Sequence, residues 1–228
     1  SRLNSVSLPN SATMIKAVLF DFDGTLADTA LDLGHALNQQ RIIRGLPELT
    51  IEQIRPIASA GSRGLLELGF NIKPGHHNYE TMCDEFLDFY TQRLCHDTRL
   101  FPGVSELLEQ LRLRNLPWGI VTNKPARFTR PLLKILGLDQ QTACVICGDE
   151  VNHTKPHPES LLKASKYINI IPEECLYLGD DIRDVHASLA AGILPIVARY
   201  GYLGSNEPPE KWGAKYLIDH PHELLAYL

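Results

Sequence analysis

AVLFDFDGTLADT, Ala17 to Thr29, sets Asp21, Asp23 and Asp28 within eight residues, directly behind an apolar run. Carboxylates at that spacing repel one another. The run itself, Val18 to Phe22, is short, apolar and closed by Asp and Gly, as a buried strand is. Taken alone, an Asp-rich turn after a strand also fits a solvated loop or a helix cap. The rest of the chain decides between these readings.

Past Asp28 the pattern turns helical for a long stretch, roughly Thr29 to Asp97. Leu31, Leu33, Ala36, Leu37, Ile42 and Ile43 mark one helix. Phe86, Leu87, Phe89, Tyr90 and Leu94 mark another. Gly61-Ser62-Arg63-Gly64 reads as a turn between them. From Phe101 strands and helices alternate. Strands are expected at Trp118–Thr122, Ala143–Cys147, Cys175–Leu178, Ile193–Ala198 and Tyr216–Ile218. Helices are expected at Val104–Arg114, Ala126–Leu136, Pro158–Tyr167, Ile182–Ala191 and Glu223–Leu228. Such alternation of apolar strands with helices implies an α/β fold, a parallel sheet covered on both faces. Ligands bind such sheets beyond the carboxyl ends of the strands. There the sequence places Asp21 and Asp23, then Thr122 and Asn123, then Gly148-Asp149, then Gly179-Asp180-Asp181. The helical block is inserted at the same edge, where it can cover the site.

The chain has 228 residues, 44% apolar and 21% charged, enough for one sizeable domain with an insert. A net charge of −5 argues against a nucleic-acid binder. No apolar run is long enough for a membrane helix. Ser1 to Thr13 is polar and lacks a signal core, and reads as a loose leader. Five cysteines without scaffold density fit a reducing compartment, hence the cytoplasm. Cys144 and Cys147 have redox or zinc spacing, but they lie in an apolar strand and no second pair completes a zinc site. They read as buried thiols. Trp118 and Trp212 read as packing residues, and His153 and His157 as solvated loop residues flanking Lys155.

Asp21 and Asp23 at one strand end, with Asp180, Asp181 and Asp184 at another, form a cluster that is costly without a cation. Magnesium resolves it, since it takes hard oxygen ligands and phosphate oxygens. Backbone N–H groups of the Gly24 turn, the Thr122 hydroxyl and Lys155 are placed to hold further phosphoryl oxygens. An Asp can attack phosphorus. A second carboxyl two residues on points the same way from an extended strand and can move the proton.

At these residues the chain resembles a family. DFDGTLADT (Asp21–Thr29), VTNKP (Val121–Pro125), TKPHP (Thr154–Pro158) and GDDIRD (Gly179–Asp184) are similar, in order, to the four motifs of the haloacid dehalogenase superfamily. The resemblance runs from about Lys16 to the C-terminus. It implies a Rossmann-like core over residues 14–28 and 98–228, with an α-helical cap over 29–97. It implies Asp21 as nucleophile and magnesium ligand. Asp23 becomes the acid/base, giving its carbonyl to the metal. Thr122 binds phosphate, Lys155 pairs with nucleophile and phosphate, and Asp180 is a metal ligand. Asp184 supports the metal from behind, and Asp181 stands beside it, either against the metal or behind its waters. Many relatives carry a small hydroxyl residue where Asp181 stands. The second Asp of the first motif argues against dehalogenation and for a phosphomonoesterase acting on a small phosphate ester.

Within the superfamily the chain looks most like the phosphoglycolate phosphatase group. VTNKPARF, the YGY at Tyr200–Tyr202 and IDHPHEL near the end resemble enzymes acting on N-acetylmuramic acid 6-phosphate. That substrate would place the chain in peptidoglycan recycling; 2-phosphoglycolate is the alternative. A phosphomutase uses the same four motifs, and a non-catalytic module could keep the fold. Arg63 and Arg127 are candidates for a substrate carboxylate or sugar oxygen, though each also fits a solvated surface. Asp184 also suits a helix's first turn, and Thr122 a helix cap. The chain is expected to act as a monomer or homodimer.

Overall fold

The computed structural model describes residues 13–204 and 206–228. The leader expected over residues 1–13 lies outside them except for Thr13. Six parallel strands form the central sheet: β1 (Ala17–Phe20), β4 (Trp118–Val121), β5 (Cys144–Ile146), β6 (Cys175–Gly179), β7 (Leu194–Ala198) and β8 (Tyr216–Ile218). Their order is β5-β4-β1-β6-β7-β8. All four residues of β1 are buried, as helices on both faces require. The helices are α5 (Val104–Leu113), α6 (Ala126–Ile135), α7 (Glu159–Ile168) and α8 (Ile182–Ala191). From β1 the chain builds outward through β4 and β5, then returns to the other side of β1 with β6. The order reverses at β1, so the crevice lies at its carboxyl end. β1 stops at Phe20, which leaves Asp21 as the first residue beyond the sheet.

Between β1 and α5 lies the helical block: α1 (Ala30–Ile43), α2 (Ile51–Ile54), a 3-10 stretch (Arg55–Ala60), α3 (Gly61–Phe70) and α4 (Tyr79–Gln92). Leu33, Leu37, Ile54, Leu65, Leu66, Phe86 and Tyr90 form its own apolar cluster, which Phe128 and Tyr202 join from the α/β part. The chain enters and leaves the block through a small antiparallel ribbon, β2 (Ala27–Asp28) on β3 (Arg99–Leu100). Strands of two residues carry no periodicity, so the pattern does not announce them. Gly61 to Gly64 is not the turn expected there; it opens α3, with Gly61 at φ 62°. The C-terminal segment is a 3-10 helix, Pro221–Tyr227, rather than the α-helix expected at Glu223–Leu228. Cys144, Cys147 and Cys175 are buried free thiols, and Trp118 and Trp212 are buried among apolar neighbours.

Asp32 pins α1 to the returning chain. Its fully buried carboxylate accepts from the Asp97 N–H (3.0 Å), the Thr98 N–H (2.8 Å) and the Thr98 hydroxyl (2.8 Å). It also sits in the first turn of α1, where the helix dipole favours an anion. Asp32→Ala strands these donors without partners. It is expected to lower the free energy of unfolding by about 2–4 kcal/mol, because each bond to a buried charge is worth about 1.5–3 kcal/mol and part is regained from water. Urea unfolding checks this: the midpoint should fall with little change in slope.

Candidate active site

Lys155 is the centre of the buried network at the strand ends. Its Nζ donates to Asp21 Oδ1 (3.1 Å), Asp184 Oδ1 (2.7 Å), the Tyr177 hydroxyl (2.6 Å) and the Val121 carbonyl (3.0 Å). Asn123 sets its backbone: the side-chain amide donates to the Lys155 carbonyl (2.9 Å) and accepts from the Lys155 N–H (3.0 Å). Asn123 thus borders the cavity while both ends of its amide hold the lysine loop. Burial alone would lower the lysine's pKa, but Asp184 and Asp21 outweigh it and raise it. The lysine stays charged.

One cation cannot balance what surrounds it. Asp21, Asp180 and Asp184 each offer a carboxylate oxygen within 4.8 Å of the others, and all three are buried. Burial first, and Asp184 next, hold the Asp21 carboxyl well above the usual carboxylate range. The same two causes push Asp180 up to about 7. Such a set of hard oxygen donors, without sulfur or imidazole, fits magnesium and does not fit zinc. Asp180 is held by the Thr25 hydroxyl (3.2 Å), the Tyr202 N–H (3.0 Å) and the Ser59 hydroxyl (2.8 Å). Asp184 Oδ2 accepts from the N–H groups of Asp180 and Asp181, both at 3.1 Å. Asp184 therefore serves the helix start and the cluster together.

Asp23 faces the same cavity from two residues on. Its Oδ1 accepts from the Thr29 hydroxyl (2.5 Å) and from Lys124 Nζ (2.9 Å). Its carbonyl lies 3.4 Å from the Ser59 hydroxyl, on the Asp180 side. The Thr122 hydroxyl accepts from the Lys124 N–H (3.1 Å), which leaves its own proton to donate. A cavity of about 290 Å³ stands over these groups, with Asp21, Asp23, Thr122, Lys155 and Asp184 at its floor. Leu33, Phe86, Tyr90 and Phe128 wall it, and Ser59, Ser62 and Arg63 close it from the helical block.

The remaining candidates separate. Arg63 is exposed at the rim of the cavity, in the first turn of α3. Arg127 is exposed outside it, with its guanidinium over the Phe128 ring at 4.5 Å. The Gly24 N–H donates to the Ala27 carbonyl (2.9 Å), so it is not free for a phosphate oxygen. Gly24 matters for another reason. Its φ is +80°, and a Cβ there would stand 2.1 Å from Asp180 Oδ2. Asp181 turns to Arg183, accepting from Nε (2.8 Å) and Nη2 (3.1 Å), and caps α8. Burial would raise the Asp181 carboxyl, but Arg183 outweighs it and holds it below its ordinary value. His153 and His157 stack on each other, exposed, away from the cavity lining.

Four residues at the site are not singled out as site residues by the sequence: Lys124, Tyr177, Tyr90 and Ser59. Lys124 stands within VTNKP, one place beyond the strand-end pair. Its buried ammonium lies 4.6 Å from the centre of the Tyr90 ring, and Asp23 and Tyr90 raise its pKa against the effect of burial. Tyr177 points inward from β6, and only three-dimensional packing brings its hydroxyl to Lys155.

Comparison with known proteins gives the family. The family of haloacid dehalogenase-like hydrolases matches residues 18–198, and the chain belongs to it. An N-acetylmuramic acid 6-phosphate phosphatase of Pseudomonas putida is 40% identical over 92% of this chain and 94% of its own. A phosphoglycolate phosphatase of Xanthomonas campestris is also 40% identical, over the same shares of the two chains. A crystal structure described as a predicted phosphoglycolate phosphatase from Haemophilus somnus superposes with a TM-score of 0.84 at 25% identity, covering 93% of this chain and 97% of its own. Within the family the chain is a phosphoric monoester hydrolase.

Lys155→Met removes the only cation bonded to both Asp21 and Asp184 among the described residues. Turnover of p-nitrophenyl phosphate is expected to fall by at least about 10²-fold, the scale for losing one charge-stabilising donor. Tyr177→Phe, which keeps the ammonium, should cost about tenfold or less, since one hydrogen bond is worth about 1 kcal/mol. Steady-state rates of the two purified variants check the ranking.

Proposed function

We propose that the chain is a magnesium-dependent phosphatase that works through an aspartyl-phosphate on Asp21, with N-acetylmuramic acid 6-phosphate as its substrate. The observation that carries the mechanism is the buried set of Asp21, Asp180 and Asp184 around Lys155 beneath a cavity. Asp21 attacks phosphorus and the bond from phosphorus to the ester oxygen breaks. Asp23 gives its proton to that oxygen, then takes one from the water that hydrolyses the acyl-phosphate. Lys155 and the Thr122 hydroxyl hold phosphoryl oxygens. Asp21, Asp180 and the Asp23 carbonyl would hold magnesium, with Asp184 beside them. The ion's positive charge offsets that of the phosphoryl oxygens. Asp181, committed to Arg183, is left out of that set.

The cavity supports a sugar rather than a two-carbon acid. At about 290 Å³ it approaches the ~300–1,000 Å³ of pockets for drug-sized ligands. Its aromatic walls suit a sugar face, and Arg63 at the rim suits the carboxylate that N-acetylmuramic acid carries. The Pseudomonas putida relative is named for this substrate. 2-Phosphoglycolate is the second reading, favoured by the equal likeness to the Xanthomonas campestris relative. With five free thiols, the cytoplasm is the proposed compartment.

Phosphate release from the two esters, side by side, tests the proposal. With magnesium, N-acetylmuramic acid 6-phosphate should be turned over with the higher kcat/KM, and phosphate should equal substrate lost. Chelator and Asp21→Asn should each abolish release. Preference for 2-phosphoglycolate would overturn the sugar assignment, and release with Asp21→Asn would overturn the mechanism. Arg63→Ala is expected to raise KM for the sugar phosphate about tenfold with kcat little changed, the signature of lost uniform binding.

A further inference from the structure

We infer that Ser59 couples the seating of the helical cap to the loading of the metal site, with Asp181 and Arg183 as its tether. The inference rests on the reading that Asp180 and the Asp23 carbonyl hold magnesium.

Ser59 belongs to the 3-10 stretch Arg55–Ala60 of the cap, yet its polar groups meet the opposite part of the molecule. The side-chain hydroxyl donates to Asp180 Oδ2 at 2.8 Å and lies 3.4 Å from the Asp23 carbonyl oxygen. These belong to the two residues assigned to the ion besides Asp21. Its carbonyl accepts from Arg183 Nη2 at 3.0 Å. Arg183 in turn grips both oxygens of Asp181, the residue next to Asp180. One cap residue is therefore docked by its side chain on Asp180 and by its main chain on Arg183, which Asp181 holds. The unusual acidic residue at 181 gains a use here: it aims the guanidinium that holds the cap.

The direction of the coupling comes from charge. Without an ion, Asp21, Asp180 and Asp184 repel across less than 4.8 Å, and one lysine opposes them. Asp180 is the member whose Oδ2 supports Ser59, so whatever displaces it loosens the cap. An ion that draws these carboxylates together fixes Oδ2 where Ser59 needs it. By linkage, a seated cap must favour the ion by the same factor. Ser59 is a positioning residue in this scheme, touching neither phosphorus nor the leaving group.

Amide hydrogen exchange on the full chain, without substrate, reads this directly. In the unaltered protein, magnesium should slow exchange across residues 51–70 about fivefold or more relative to chelator, the lower bound of ordinary coupling. Ser59→Ala should remove that dependence and weaken magnesium binding in calorimetry by a matching factor. Ser59→Thr, which restores a hydroxyl, should recover both. Arg183→Met should speed exchange over residues 51–70 in magnesium while Asp180 stays in place. If Ser59→Ala responds to magnesium as the unaltered protein does, the inference is overturned. Magnesium heat with no change of exchange overturns this inference alone. Absence of magnesium heat overturns the metal reading, and this inference with it.

Discussion

Three carboxylates buried around one ammonium are an arrangement that water would ordinarily dissolve. Asp21, Asp180 and Asp184 stay together because each is held by hydrogen-bond donors: backbone N–H groups, the Thr25 and Ser59 hydroxyls and Lys155. Desolvation makes the residual charge expensive, and the raised Asp21 and Asp180 carboxyls are its signature. A divalent cation is complementary to that excess. A divalent cation held there would, together with Lys155, balance the three carboxylates. The site is thus unfavourable when empty and favourable when loaded, which is what preorganisation requires.

The sheet exists, from the site's point of view, to bring these groups to one point. β1 is central, with β4 and β6 paired to it residue by residue. The ends of these strands deliver Asp21, Thr122 and Asp180 side by side, though they are far apart along the chain. Lys155 comes from a loop beyond β5 and needs its own support, which Asn123 supplies by bonding to its main chain. Close approach also demands absences. Glycine at 24 leaves room for the Asp180 carboxylate, and glycine at 179 leaves room for Asp184, where a Cβ would stand 2.4 Å from Oδ2.

The part of this architecture that is legible in the sequence is the part that local pattern controls. The apolar runs behind Asp21, Thr122 and Asp180 mark strands, and the strand-end rule then points at the site. Thr122, Lys155, Asp180 and Asp184 all stand at the floor or in the network beneath it. The contacts that escape such a reading need distance information. Asp32 meets Thr98 across 66 positions, and Ser59 meets Asp180 across 121. Nothing in either neighbourhood marks such a partner. Gly24 suggests an anion donor because glycine turns often cradle anions, but its N–H is spent on Ala27. Arg127 suggests a substrate contact by its position after the second motif, yet the helical turn carries it outward over Phe128. Lys124 draws no notice because a lysine in a loop is usually solvated, and only the fold buries it between Asp23 and Tyr90.

The insertion of the helical block at this edge has a physical consequence beyond coverage. Its two ends pass through the β2–β3 ribbon, whose first strand begins only four residues after Asp23. The Asp32 staple fixes α1 to the returning chain just beyond. Asp28, in the ribbon, accepts from both Arg55 and the Tyr202 hydroxyl, and the Tyr202 N–H reaches Asp180. A rotation of the block about the ribbon therefore strains contacts that end on the ribbon itself and on Asp180. Ser59, Ser62 and Arg63 of the block line the cavity over the site. The block is held there by charge-assisted bonds of Arg55 and Arg183 and by the apolar contacts that Phe128 and Tyr202 make with its cluster. Such bonds add geometric specificity as well as energy.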